Sequence, residues 1–270
     1  MAGEAARRCA LITGASSGLG AEFARQYAAR NFDLVVVARR ADRLAGLAET
    51  ITRQYGVTVH VETADLSDPA APDHLHEALG ARGVVIDTLV NNAGYGVPGS
   101  FMNQTWKTHA EFQQVLVNAV IAMCYRFIPH LQQRGFGTIV NVASLAGLMP
   151  GSAGHTLYGP SKAWLIKFSE CLGHELKPQG IQVLALCPGF TYTEFHDVNG
   201  MRSQVSRLPR WLWMSASDVV LEGLEAVDRH AMVHVPGRIN RLLATGARLL
   251  PAPIAHALVA RRARDFRRVD

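Results

Sequence analysis

The sequence predicts an α/β fold: a single doubly wound parallel sheet of about seven strands, with helices on both faces. Three observations carry this. Short β-branched apolar runs alternate along the chain with longer segments of helical spacing, which is the pattern of βαβ crossovers. Two of the runs, "LVVVA" at 34–38 and "VLALC" at 183–187, are apolar without alternation, as strands buried on both faces are. The chain has 270 residues, 49% of them hydrophobic and 18% charged. That suffices for one large core, and no repeat, low-complexity linker or second core interrupts it.

The predicted strands are 9–13, 34–38, 57–63, 86–91, 138–142, 181–187 and 232–235. Helical spacing covers 20–30, 41–55, 110–133 and 161–177 between them. In a doubly wound sheet, ligands bind beyond the carboxyl ends of the strands where strand order reverses. Functional residues are therefore sought in the segments that leave each strand.

Composition narrows the partners. The net charge is +5, but the last ten residues, "RRARDFRRVD", hold five Arg and two Asp, so +3 of it lies there. The other 260 residues carry only +2, too little for a nucleic-acid footprint over the domain. Cys9, Cys124, Cys171 and Cys187 match no metal or redox spacing, and each stands in an apolar run. Reduced, buried thiols and a cytoplasmic setting are expected. The opening "MAGEAARRCALITG" has too short an apolar run for a secretion signal. The stretch 242–260 is broken by Arg248, Pro251, Pro253 and His256, a poor membrane span.

After the first strand comes "TGASSGLG", Thr13 to Gly20, and then a helix. Gly14, Gly18 and Gly20 let the backbone turn tightly and approach a pyrophosphate, which the helix N-terminus attracts with its amides and dipole. Ser16, Ser17 and Leu19 complete that turn. The spacing is G-x-x-x-G-x-G rather than the commoner G-x-G-x-x-G. The second strand ends in "VVVARRADRL". Where an acidic residue would hold a free ribose 2′-hydroxyl, Ala38, Arg39 and Arg40 stand instead, and Arg39 is suited to fork onto a phosphate. The expected cofactor is NADP(H) rather than NAD(H). Asp65-Leu66 after the third strand and Asn91-Asn92-Ala93-Gly94 after the fourth offer amide and small residues for an adenine and a close backbone.

"NVASLAG" lies at the end of the fifth strand and contains Ser144; fourteen residues later come Tyr158 and Lys162, in "YGPSK". Tyr158 and Lys162 stand at i and i+4, on one helix face. A neighbouring ammonium stabilises a phenolate and lowers the tyrosine pKa. Such a tyrosine exchanges a proton with an alcohol or ketone oxygen, and Ser144 donates a hydrogen bond that polarises the same carbonyl.

"TGASSGLG", "ARR", "ADL", "NNAG", "LVNAV", "NVASLAG", "YGPSK" and "PGFTYTEF" occur in order from about residue 9 to 236. Over that span the sequence closely resembles the short-chain dehydrogenase/reductase family, in particular 3-oxoacyl and hydroxysteroid reductases of bacteria. The resemblance implies a Rossmann-type fold and a nicotinamide-dependent carbonyl reductase or alcohol dehydrogenase. It implies Tyr158 as general acid, with Lys162 tuning it and holding the nicotinamide ribose. It implies Ser144 as the group orienting the substrate oxygen. Asn118 would hold a water that passes protons to Lys162. Pro188 and Gly189 would flank the nicotinamide, Thr193 would reach its carboxamide, and Thr191 would line the same loop. Arg39 matches the 2′-phosphate position. Homodimers or homotetramers are expected. A catalytically silent dinucleotide-binding sensor or scaffold is the rival reading.

Residues 1–237 thus read as a catalytic domain with a substrate lid at about 190–215, and 238–270 as a basic amphipathic extension of it. Phe195, Met201, Val205, Leu208, Trp211, Leu212, Trp213 and Met214 make the lid apolar. That suits a cover over a hydrophobic ketone, and equally a core or subunit contact. Ser215 or Ser217, with Asp218, is expected to cap the next helix. Two short helices around Pro251 and Pro253 would lie on an anionic membrane surface, cover the cleft or meet a second subunit. His155 is expected in an exposed loop. Pro160 is tolerated only in the first turn of a helix, so the helix carrying Tyr158 is expected to begin close to it.

Overall fold

A strand that is apolar on every residue must be covered on both faces. A computed structural model, which describes residues 7–97, 99–151, 153–154, 156–194, 209–251, 253–255 and 257, meets that demand with one seven-stranded parallel sheet. Its strands are β1 (Cys9–Thr13), β2 (Asp33–Ala38), β3 (Val59–Thr63), β4 (Thr88–Asn91), β5 (Gly137–Val142), β6 (Ile181–Leu186) and β9 (Val233–His234). They run in the order β3-β2-β1-β4-β5-β6-β9. Alternate residues feed opposite cores: Ile12, Val36 and Leu184 belong to one cluster, Leu11, Val35 and Val183 to the other. Each such burial contributes about 1.5–3 kcal/mol relative to exposure, so the sheet supplies both hydrophobic cores from the same seven segments.

The helices are α1 (Gly18–Ala29), α2 (Ala41–Tyr55), α3 (Ala71–Ala81), α4 (Trp106–Gln113), α5 (Ala119–Arg134), α6 (Tyr158–Leu176), α7 (Ala216–Asp228) and α8 (Arg238–Leu249). The helix expected over 110–133 starts earlier, because Thr105 caps it by accepting from the Thr108 amide at 3.1 Å. A π-helical turn, Gln114–Asn118, then joins α4 to α5. Helix α6 begins at Tyr158, which puts Pro160 third in it. The first amides of a helix have no acceptor within it, so the missing N–H removes no helical bond. The first full-turn bond runs from the Ser161 amide to the Leu157 carbonyl at 2.9 Å. Ser215, not Ser217, caps α7 by accepting from the Asp218 amide at 3.0 Å.

Two short strands carry no clear sequence signal. β7 (Phe190–Tyr192) and β8 (Trp213–Ser215) pair in parallel as a separate ribbon, with Phe190 opposite Trp213. Trp213 stacks on Tyr192 at 4.8 Å between ring centroids. Both ends of the expected lid are therefore held side by side. Leu212 is buried and Met214 packs on the core, while Trp211 is exposed. Phe195, Met201, Val205 and Leu208 lie outside the described residues, as do His155 and the basic C-terminus. Of the cysteines, Cys9, Cys124 and Cys187 are buried as expected; Cys171 is exposed, on the outer side of α6.

A buried polar chain fixes β4, β5 and α6 against one another. Asn91 Nδ2 donates to Asn141 Oδ1 at 2.9 Å, Asn141 Nδ2 donates to Ser169 Oγ at 2.9 Å, and Ser169 donates to the Leu165 carbonyl at 2.7 Å. Asn141 and Ser169 are fully buried, so losing one link strands its neighbours without water. Asn141→Ala is expected to destabilise the fold by about 1–3 kcal/mol. The melting midpoint would fall by about 2–4 °C for each kcal/mol. An unchanged midpoint would show that the chain of amides contributes nothing to stability.

Candidate active site

The sheet reverses direction at β1, which has β2 on one side and β4 on the other. The loops leaving β1 and β4 are sewn together there. Thr13 Oγ1 accepts from the amides of Asn92 and Ala93, both at 3.0 Å, and donates to the Val90 carbonyl at 3.3 Å. Asn92 Nδ2 donates to the Thr13 carbonyl at 2.8 Å. Gly14 turns at φ 68°, and a Cβ on Gly20 would come within 2.3 Å of the Gly14 carbonyl oxygen. Only glycine lets α1 start so close to the strand. The Ser17 side chain, at the start of α1, does not cap it. Instead Arg40 holds the Ser16 hydroxyl (2.9 and 3.1 Å) and the Ser17 hydroxyl (2.8 Å). A helix N-terminus with no side-chain cap and no acidic residue in its first turn is a fit for a pyrophosphate.

One step along the sheet, Ser144 leaves β5 and starts a short 3-10 turn, Leu145–Gly147. The Leu145 amide donates to the Pro188 carbonyl at 2.8 Å, which ties this turn to the end of β6. The sequence did not force Ser144 near Tyr158. Packing does: a Cβ on Gly147 would lie 2.6 Å from the Lys162 backbone carbon, so the turn sits directly on α6. Ser144 is thereby hydrogen-bonded to Tyr158. Lys162 is buried, donates from Nζ to the Val142 carbonyl at 2.7 Å, and lies 5.8 Å from the Tyr158 ring centroid.

The electrostatics differ from the sequence expectation. Burial pushes the Tyr158 phenol above its ordinary value and the Ser144 hydrogen bond opposes it; the lowering expected from Lys162 is not among the influences that govern it. Burial lowers Lys162 to about 8, against the smaller opposing influence of Cys187. The ammonium has given up water for one carbonyl, so its charged form is disfavoured.

Several cofactor-side residues stand elsewhere than expected. The Asn91 side chain is turned into the core toward Asn141 and Cys124, so it does not face an adenine; Asn92 makes the loop's bonds instead, while Ala93 and Gly94 stay on the open side. Leu66 is buried in a cluster with Phe112 and Leu116. Asp65 Oδ1 is bound by the Ser67 amide and hydroxyl at 3.0 and 2.9 Å. Arg39 is largely exposed, 3.9 Å from Asp65; the guanidinium that reaches the glycine loop is that of Arg40. Asn118 is exposed at the end of the π turn and donates to Gln114 at 3.1 Å. Thr191 donates to the Gly189 carbonyl at 3.1 Å within its own loop. Thr193 packs against Gly18.

Other residues of the site carry no sequence signal. Val97, Phe101, Phe112, Thr156 and Leu157 line an apolar cleft beside Tyr158. In its wall His109 is buried, shares a hydrogen bond at Nε2 with the Phe101 carbonyl (2.9 Å), and stacks on the Phe101 ring. Asn240 of α8 is buried and packs on Gly189 so closely that a Cβ there would meet it at 2.6 Å. It donates to the Pro236 carbonyl at 2.9 Å.

The family model for short chain dehydrogenases matches residues 8–202. A sulfoacetaldehyde reductase of Chromohalobacter salexigens is 36% identical over 69% of this chain and 74% of its own length. A very-long-chain 3-oxoacyl-CoA reductase of Laccaria bicolor is 34% identical over 64% of this chain and 52% of its own length, and a 17-beta-hydroxysteroid dehydrogenase type 3 of Mus musculus is 32% identical over 66% and 58%. Among solved structures, a short-chain dehydrogenase from Sphingobium yanoikuyae in complex with NADPH superposes with a TM-score of 0.80 at 35% identity, covering 89% of this chain and 93% of that one. The bulky-bulky ketone specific alcohol dehydrogenase from Comamonas testosteroni gives 0.75 at 32% identity, over 89% and 92%. The chain belongs to the short-chain dehydrogenase family of oxidoreductases.

The buried Lys162 has a thermodynamic signature. With its folded pKa lowered to about 8 from 10.5, the unfolded chain binds the extra proton between those two values. Stability relative to Lys162→Met therefore rises with pH across that window and is flat below it. The total is on the order of 3 kcal/mol. Denaturant titrations of both proteins from about pH 7 to 10.5 check this; a constant difference would mean the ammonium is not desolvated.

Proposed function

We propose that this short-chain dehydrogenase is an NADP(H)-dependent reductase of a hydrophobic ketone, running in reverse on the secondary alcohol. The observation that carries the proposal is the convergence of Ser144, Tyr158 and Lys162 beside an apolar cleft and a glycine loop. A bound nicotinamide supplies the hydride for the carbonyl carbon. Ser144 Oγ donates to the substrate oxygen and fixes its position. Tyr158 gives its phenolic proton to that oxygen as negative charge grows there. A phenol whose pKa is raised by burial keeps its proton until such a strong base is formed. The phenolate left behind is stabilised by the Lys162 ammonium. Lys162 has three donors, one of them taken by Val142, so two remain for a ribose and for water. Asn118, at a π turn of the kind frequent at functional sites, is the residue we assign to hold that water.

NADP(H) is preferred on charge. No acidic side chain stands at 38–41, Arg40 grips the glycine loop, and Arg43 lines the adjoining cavity. The Sphingobium relative was solved with NADPH. For the substrate, the apolar walls from Val97, Phe101, Phe112 and Leu157 favour a ketone with an apolar substituent. A silent nucleotide-binding module would have no need of the Ser144–Tyr158–Lys162 set.

NADPH oxidation across a panel of aryl and alicyclic ketones tests the reaction. Tyr158→Phe is expected to slow turnover about 10²–10⁴-fold while NADPH binding persists. NADPH binding without turnover of any carbonyl by the unaltered protein would favour the silent module.

A second reading concerns α8. Its inner side is anchored by Asn240 and Ala244, with Arg241 paired to Glu222 at 2.9 Å, and its outer side exposes Ile239, Leu242 and Leu249 at helical spacing, beside Arg238 and Arg248. We propose that this face rests on an anionic membrane surface. The expected result is flotation with anionic vesicles at low salt, lost at high salt and in Leu242→Glu/Leu249→Glu. No flotation of the unaltered protein at low salt would dispose of the idea.

A further inference from the structure

Beyond the glycine loop lies a cluster of charges that the reaction itself does not use. Arg43 Nη1 donates to both carboxylate oxygens of Glu194, at 2.8 and 2.7 Å, and Arg40 Nη1 reaches Glu194 Oε2 at 3.3 Å. The same Arg40 holds the hydroxyls of Ser16 and Ser17 with its other nitrogens. An open cavity of ≈ 450 Å³ runs along these groups, lined by Ser16, Ser17, Gly18, Arg43, Leu47 and Glu194. Glu194 is delivered there from across the fold, since Thr193 before it packs on Gly18. The remaining charges nearby are spoken for or stand apart: Arg39 faces Asp65, Arg25 pairs with Glu22, and Asp42 lies in the first turn of α2.

Two guanidiniums that converge on one carboxylate, one of them braced by the Ser16 and Ser17 hydroxyls, form a site suited to a phosphate monoester. Here a carboxylate takes the place of that ligand. The geometry points to Glu194 as an internal competitor of the cofactor's 2′-phosphate: it occupies the arginine donors that the phosphate needs and must yield them when NADP(H) binds. This deepens the NADP(H) reading and rests on it. A dinucleotide that lacks the 2′-phosphate has no use for those donors and leaves the ion pairs intact. Glu194 therefore sets how strongly the chain discriminates between the two cofactors, by weakening the phosphorylated one alone. The arginines hold its carboxyl below the usual carboxylate range, so the competing charge is present at neutral pH. Both partners are about half exposed, with relative side-chain accessibilities of 37–45%, so the effect is a modest one that salt screens.

Calorimetric titration of NADP+, NAD+ and 2′,5′-ADP into the full chain and into Glu194→Gln, at low and high salt, tests this. Glu194→Gln is expected to bind NADP+ and 2′,5′-ADP about 3–10-fold more tightly at low salt, with NAD+ unchanged within about twofold and the gain shrinking at high salt. In an Arg43→Ala background the gain should diminish, because the donor under competition is gone. Unchanged or weaker NADP+ binding by Glu194→Gln overturns the inference. So does an equal gain for NAD+, which would mean general loosening of the loop. The cofactor reading is judged separately, by whether the unaltered chain prefers NADP+ to NAD+. If it does not, a gain in 2′,5′-ADP affinity on removing Glu194 still supports the competition, and no gain still overturns it.

Discussion

The seam between β1 and β4 governs the rest of the molecule. At the point where strand order reverses, two chain segments emerge with their last peptide groups unpaired, and backbone polar groups cannot be left so beneath a cleft. Thr13 and Asn92 satisfy them with each other's loops. That bonding fixes where the glycine loop begins and hence where α1 points. It also holds the "NNAG" segment open on its other side. With the seam in place, the anion-attracting helix end, the apolar cleft and the Ser144 turn all face one crevice.

A second constraint is the burial of a cation. Lys162 is held in the interior by one carbonyl and by the packing of the Ser144 turn on α6. The result is a lysine whose charge is only weakly favoured near neutral pH. A charge this marginal gains in worth when a negative partner is created next to it, and in the mechanism proposed above that partner is the phenolate of Tyr158. Tyr158 and Lys162 are thus displaced in opposite senses by the same desolvation, each toward neutrality, and each regains stability by ionising alongside the other. Catalytic pairs are often built this way.

Much of this was legible in the residues. The inner strands announced themselves as apolar runs, because a strand covered on both faces needs nothing but apolar side chains; the edge strands β3 and β9, with polar residues and partial exposure, were legible from their β-branched residues. The glycine loop was legible because a close backbone approach excludes every other residue. The helix start at Pro160 was legible because proline has one tolerated place in a helix. The features that escaped were decided by side-chain direction in short irregular links. Asn91 and Asn92 are chemically identical, yet the first still obeys the pleat of β4 and points into the core, while the second has left it. Arg39 and Arg40, just past the end of β2, also part: Arg39 lies exposed near Asp65, while Arg40 reaches the glycine loop. The β7–β8 ribbon escaped because its two strands are only three residues each and lie far apart in sequence. The cleft walls around Phe101 and His109 escaped because nothing in a sequence says which loop will fold over which helix.

The packing of Asn240 on Gly189 alters what the C-terminus of this chain is. A segment that looked like an appendage to a finished domain forms part of the wall behind the loop leaving β6. Sequence drift there is constrained from the inside: one face of α8 answers to the cleft, and only the outer face is free to vary. Changes in α8 that displace Asn240 are therefore transmitted to the loop leaving β6 through that buried amide.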